Sequence, residues 1–340
     1  MTGFWIGLLL ICSLPMVIGA WLAVMYVRLC HKWLDLVVRI FQEKPLFVVP
    51  RGHPVDGAED VRVGTPDGLF LRGCYLRTTA EERAGVILFG LEFGSNRWSC
   101  LPYCEHLREA GYDVFALETR GQGDSEGQVG YEPLQWVTDY EVRDTRSALA
   151  YLKSRADADP RGVGFFGISK GAGAGLQAAI GDSYIRCCVT DGVFASYTTL
   201  VPYMKQWFRI YDSRFAFQGL IPTWYYGLVG LRAMRRIEVD RTCRFTHLER
   251  SMGRLSPRPL LMIHGGGDTY IKPDMARKLY ERARGPKELW IVEGAKHNQA
   301  LQVAGDEYRR RVREFFDVHL AGAVRETQSD RQRMELSIGS

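Results

Sequence analysis

At 340 residues, with 46% hydrophobic and 24% charged content, the chain has room for one large α/β domain plus an accessory segment, which excludes a wholly disordered protein. Its net charge of +5 is small for the length, and no Lys/Arg cluster is interleaved with aromatics, so nucleic acid is not an expected partner. The eight cysteines (12, 30, 74, 100, 104, 187, 188, 243) fit neither a C-x-x-C metal site nor a disulfide scaffold, so no metal is expected. Free thiols are the expected state and suit a cytoplasmic domain, although Cys100 and Cys104, at helical i,i+4 spacing, are disulfide candidates.

Residues 1 to 27 carry no charge, and from Phe4 to Val27 the run is almost wholly apolar. Those positions reach about 36 Å as a helix, enough to cross a hydrocarbon core of about 30 Å. A transmembrane anchor over residues 1–32 is therefore expected, with a juxtamembrane linker over 33–57. The competing reading is a signal peptide cleaved near Gly19-Ala20, but no basic residue precedes the apolar run, which continues past Ala20. Arg28, His31, Lys32, Arg39 and Lys44 follow the span, so the positive-inside bias makes this a single-pass protein with its main domain in the cytoplasm. The apolar stretch from Trp33 to Phe41 fits either a longer helix or a segment lying along the surface.

Alternating runs at 61–64 and 69–76 flank Thr65-Pro66-Asp67-Gly68, a turn signature, and read as an opening hairpin. Strand and helix then alternate: strand 86–89, helix 97–110, strand 113–117, helix 132–154, strand 162–168, helix 170–180, strand 185–190. Strands at 259–263 and 288–292 and a closing helix at 305–320 complete the pattern. Continuous apolar strands in this alternation imply an α/β fold with a mostly parallel sheet and helices on both faces. The domain is expected over 58–320, with a helical lid insertion at about 197–256 and a flexible tail at 321–340.

The chemistry collects at three strand ends. Ser169 lies in Gly167-Ile168-Ser169-Lys170-Gly171, between an apolar strand and a small-residue helix, the setting of a nucleophile elbow. Asp268 follows strand 259–263 through His264-Gly265-Gly266-Gly267, and His297 follows strand 288–292 through Glu293-Gly294-Ala295-Lys296. An alcohol needs a base within reach to become nucleophilic, and the imidazole needs a carboxylate to fix its tautomer. Ser169, Asp268 and His297 are thus the expected catalytic set, with Asp191 as fallback acid and His264 in support of the set. The backbone amides of Leu91 and Lys170 are the expected oxyanion donors. Gly162 to Gly167 also matches G-x-G-x-x-G, but those glycines run through the strand, so no dinucleotide site and no cofactor is expected.

With these residues in place, the chain resembles the α/β-hydrolase superfamily over roughly 58–320, and within it the membrane-anchored S33-like or dienelactone-hydrolase-like serine hydrolases. Thr119-Arg120-Gly121-Gln122-Gly123-Asp124-Ser125 matches their R-G-x-G-x-S loop, and Asp191 to Tyr197 resembles their entry into the lid. The resemblance implies an α/β-hydrolase fold and acyl-enzyme chemistry. One departure stands out: Phe89-Gly90 replaces the usual His-Gly before the oxyanion loop, and Glu92 adds an acid there. Glu92 is therefore expected to turn away from the reacting atoms or to be paired.

Aromatic and basic residues alternate through the insertion, from Tyr203 and Lys205 to Tyr226 and Arg236. They suit either helix packing or a lipophilic acyl site near anionic headgroups. Hydrolysis of an ester or thioester of a hydrophobic or lipid-like acyl substrate is the expected function. A short-peptide serine aminopeptidase and a non-catalytic binding protein of the same fold are the alternatives, and the sequence leaves the oligomeric state open.

Overall fold

All eight runs read above as strands join one eight-stranded sheet in the computed structural model, which describes residues 2–42, 51–211 and 223–322. The strands are β1 (Glu59–Gly64), β2 (Phe70–Leu76), β3 (Gly85–Gly90), β4 (Tyr112–Leu117), β5 (Val163–Ile168), β6 (Ile185–Asp191), β7 (Leu260–Gly265) and β8 (Lys287–Val292). Their order is β1-β2-β4-β3-β5-β6-β7-β8. β2 is antiparallel to both neighbours, and every pairing from β4 through β8 is parallel. The chain leaves β3 for β4 on one side and returns to β5 on the other, so the crevice beyond the carboxyl ends of β3 and β5 is the topological switch point.

Side chains alternate across the strands and feed two apolar layers. Val86 and Leu88 of β3 join Phe165 and Leu176 in one, while Ile87 and Phe89 join Phe166 and Phe316 in the other. Helices α3 (Asp139–Ser154), α4 (Ser169–Gly181) and α8 (Pro273–Arg282) cover the first layer. Helices α2 (Leu101–Glu109) and α9 (Ala300–Phe316) cover the second. The sequence placed a helix over 132–154, but α3 begins only at Asp139. There Thr138 and Glu141 form a reciprocal capping box, a local stop that outweighs the longer periodicity. The expected helix 97–110 divides into a 3₁₀ turn, Arg97–Cys100, and α2, with a proline opening the second piece. The closing helix begins at Ala300 rather than 305, kinked at Gly305, where φ is 50°. Cys100 and Cys104 are buried free thiols.

The described residues fall into two compact units: Lys44–Thr199 with Arg241–Ser340, and Met1–Glu43 with Leu200–Asp240. The smaller unit contains α1 (Thr2–Gln42), most of α5 (Ser196–Tyr211), and α6 (Thr223–Asp240). Helix α1 runs without a break past residue 32, so the apolar stretch from Trp33 extends it rather than beginning a linker. Residues Cys12–Gln42 have a mean hydropathy of 1.6, and this is the one helix among the described residues long and apolar enough to cross a membrane. Part of the expected 33–57 linker, at 43–50, and the tail beyond 322 lie outside the described residues. The short helix Leu248–Ser251, α7, returns the chain to the sheet.

Candidate active site

Strand register sets the site. Gly90 pairs with Gly167, Ile168 with Asp191, Asp191 with Ile263, and Gly265 with Val292, so five strands end at one level. Ser169 leaves β5 there with φ of 50°, a left-handed conformation that a residue with a Cβ adopts only when its surroundings enforce it. The enforcement comes from close packing. A Cβ at Gly167 would lie 2.6 Å from the Ala172 Cα, and one at Gly171 would lie 2.4 Å from the Gly90 carbonyl carbon and the Leu91 oxygen. The β3 loop is thus seated directly on the turn that carries Ser169.

Three side chains predicted from separate loops meet. Ser169 Oγ is 2.9 Å from His297 Nε2, and His297 Nδ1 is 2.6 Å from Asp268 Oδ2. With Nδ1–H donating to the carboxylate, Nε2 is left to accept the serine proton. Asp268 is itself held: its Oδ1 accepts the backbone N–H groups of Tyr270 and Ile271, both at 2.8 Å. His264 stands beside it, Nε2 at 3.5 Å from Asp268 Oδ2 and 2.7 Å from the Ile271 carbonyl, and burial lowers its pKa. The Tyr270 ring meets the His297 ring edge to face, with centroids 5.4 Å apart.

Asp191 is not brought to His297 by a hydrogen bond. Its Oδ2 accepts the Tyr308 hydroxyl at 3.0 Å, while its Oδ1 has no partner among the described residues. Burial pushes its carboxyl up to about 7, with Tyr308 and the charge on His297 pulling the other way. Glu92 accepts the Asn298 side-chain amide at 2.5 Å, so the acid of the departing oxyanion loop is paired. Burial raises its pKa, and the Asn298 bond and the His297 charge oppose that rise. Asn298, with φ of 56°, is the partner of Glu92 that the sequence does not single out.

Leu91 and Lys170 are both buried beside the serine turn. The Lys170 side chain leads away from the strand ends to Glu141 Oε1 at 2.9 Å, and Glu141 also accepts from Tyr131 and Thr138. Burial works against charge on Glu141, but the Lys170 ammonium and these donors hold its pKa below the ordinary value. From the R-G-x-G-x-S segment, Gln122 donates to the carbonyls of Glu92 and Ser95 at 2.8 and 3.1 Å, bracing the β3 loop. Arg120 of the same segment is fully buried against Asp144, with Nη2 at 2.6 Å from Oδ1. Among the described residues no group of His, Cys, Asp and Glu is arranged to hold a metal ion.

A sheet of this order, with a serine turn after β5 and Asp and His loops after β7 and β8, defines the α/β-hydrolase class. The chain belongs to the alpha/beta hydrolase family, whose sequence profile matches residues 89–311. It is similar to the uncharacterized protein YfhR of Escherichia coli O157:H7, at 29% identity over 76% of this chain and 80% of that one. It is also similar to the alpha/beta hydrolase domain-containing protein WAV2 of Arabidopsis thaliana, at 27% identity over 72% and 76%. Among solved structures, the esterase Pf2001 of Pyrococcus furiosus shares the fold, with a TM-score of 0.61 and 24% identity over 81% of this chain and 97% of that one.

Proposed function

We propose that the protein is a membrane-anchored serine hydrolase that cleaves an ester or thioester of a hydrophobic or lipid-like acyl substrate. The observation that carries this reading is the hydrogen-bonded relay from Ser169 through His297 to Asp268, at 2.9 and 2.6 Å. Family membership and the strained φ of Ser169 support it. In this mechanism Ser169 Oγ attacks the acyl carbonyl carbon and passes its proton to His297 Nε2. The tetrahedral oxyanion is held by the amides of Leu91 and Lys170, donors each worth roughly 10²–10³ in rate. Collapse expels the alcohol or thiol, which takes the proton from His297 and leaves an acyl-serine. Water then gives a proton to His297 and attacks the acyl carbon, releasing the acid and restoring Ser169.

The lipid-like acyl class is favoured by the aromatic-rich insertion and by the apolar N-terminal helix. Basic residues after that helix favour a cytoplasmic domain. The pairing of Glu92 with Asn298 supports catalysis over a purely binding role, because a buried acid at this loop is then already engaged.

The test is fluorophosphonate labelling and turnover of p-nitrophenyl acyl esters of increasing chain length. Wild type should label and prefer longer chains. Ser169→Ala should not label and should lose roughly 10⁴- to 10⁶-fold in turnover. Unchanged turnover in that variant would overturn the mechanism.

A further inference from the structure

Helix α6 changes character halfway along. From Thr223 to Leu231 it carries no charge, whereas Arg232, Arg235, Arg236, Glu238 and Asp240 follow. Inside its own compact unit one face is covered, with Val229, Ala233, Met234 and Ile237 buried. A Cβ on Gly230 would come within 2.7 Å of Met204 and 2.9 Å of Leu200 in α5. The other face is open: Leu228 and Leu231 are 44% and 37% exposed, and Trp224, one turn earlier, is 52% exposed.

Two contacts fix the register of α6 on α1. Arg236 Nη1 lies 2.8 Å from Asp35 Oδ1, and Arg232 reaches the Tyr26 hydroxyl. Both numbers rise together, so the helices run in the same direction. The charge-free half of α6 therefore lies beside the charge-free part of α1, which ends at Val27. The first charges of the two helices, Arg28 and Arg232, fall near one level, with Arg235 and Arg236 just beyond. A stripe that only met water would have no reason to match the charge boundary of its neighbour, and an exposed apolar face beside an apolar helix continues the same surface.

We propose that the Thr223–Leu231 half of α6 is seated in the bilayer that α1 crosses, in the leaflet on the C-terminal side of α1. Arg232, Arg235 and Arg236 then meet the lipid phosphates. The inference rests on the reading of α1 as a membrane anchor. Nine helical residues span about 13 Å, close to half of a core of about 30 Å, so the segment fills one leaflet and does not cross. Buried apolar area and attraction of arginines to anionic headgroups both favour this seat.

The test places a benzophenone amino acid singly at Ile18, Leu228 and Val239, all exposed, in the full chain reconstituted in phosphatidylcholine/phosphatidylglycerol vesicles. After irradiation, mass spectrometry should find phospholipid adducts at 18 and 228, several-fold above the yield at 239. Lipid adducts at 18 without adducts at 228, or a covalent dimer through 228, would overturn the seating of α6 and leave the anchor standing. No lipid adduct at 18 would overturn the anchor itself.

Discussion

At Asp191 a carboxyl is fully buried with one oxygen unpartnered, and the consequence is a pH dependence with a definite sign. The ordinary pKa is 3.8 and the folded value is about 7, so the folded chain keeps a proton that the unfolded chain releases in between. Stability should be unaffected by this group below the lower value, fall as pH rises through the window, and level off above the upper one, at a cost on the order of 4 kcal/mol. Asp191→Asn keeps an acceptor for Tyr308 and removes the charge. Urea unfolding should then show the variant close to wild type near pH 4 and more stable by on the order of 4 kcal/mol near pH 8.5. An equal shift at both pH values would show that the carboxyl is not held protonated. Glu92 is a different case, because Asn298 supplies a donor and His297 a nearby charge, so its burial is partly offset within the site.

Between elements, the tightest constraint on the chemistry is the seat of the β3 loop on α4. Gly171→Ala would bring a Cβ to 2.4 Å from two backbone atoms of Gly90 and Leu91, so the loop carrying one proposed oxyanion donor must move. The expected result is a drop of about 10²-fold or more in kcat/KM, with serine labelling weakened and the far-UV CD spectrum retained. Wild-type kcat/KM would mean that the Leu91 amide is not a donor. The glycines and the strand-turn-helix pattern around Ser169 made this turn legible in the sequence, and the spacing of Asp268 and His297 after apolar strands made their loops legible. Element ends were less so. The Thr138–Glu141 box that starts α3 lies inside the helix expected over 132–154, which runs six residues further toward the N-terminus than Thr138. Helix α8 was not singled out, although Met275, Ala276 and Leu279 give it a buried face, because a ten-residue amphipathic segment resembles a polar loop. Asn298 and Gln122 act through side-chain contacts with residues far away in the chain, and no local pattern encodes such a contact.

For the whole molecule, the mostly parallel sheet and the two-sided covering followed from the strand-helix alternation, because continuous apolar strands need helices over both faces. The division into units did not, since nothing in the local composition joins residues 200–240 to the first forty-three. The sheet order also has a thermal consequence. His297 is delivered by β8, an edge strand paired among the described residues with β7 alone and only partly buried along its length, whereas Ser169 hangs from the interior strand β5. Fraying begins at such margins, at a cost well below that of global unfolding. During slow heating, ester turnover should therefore vanish several degrees before the loss of helical CD, and cooling from that interval should restore it. In the proposed mechanism the base would be the first part to leave and the last to return, so the protein would fall silent while still largely folded.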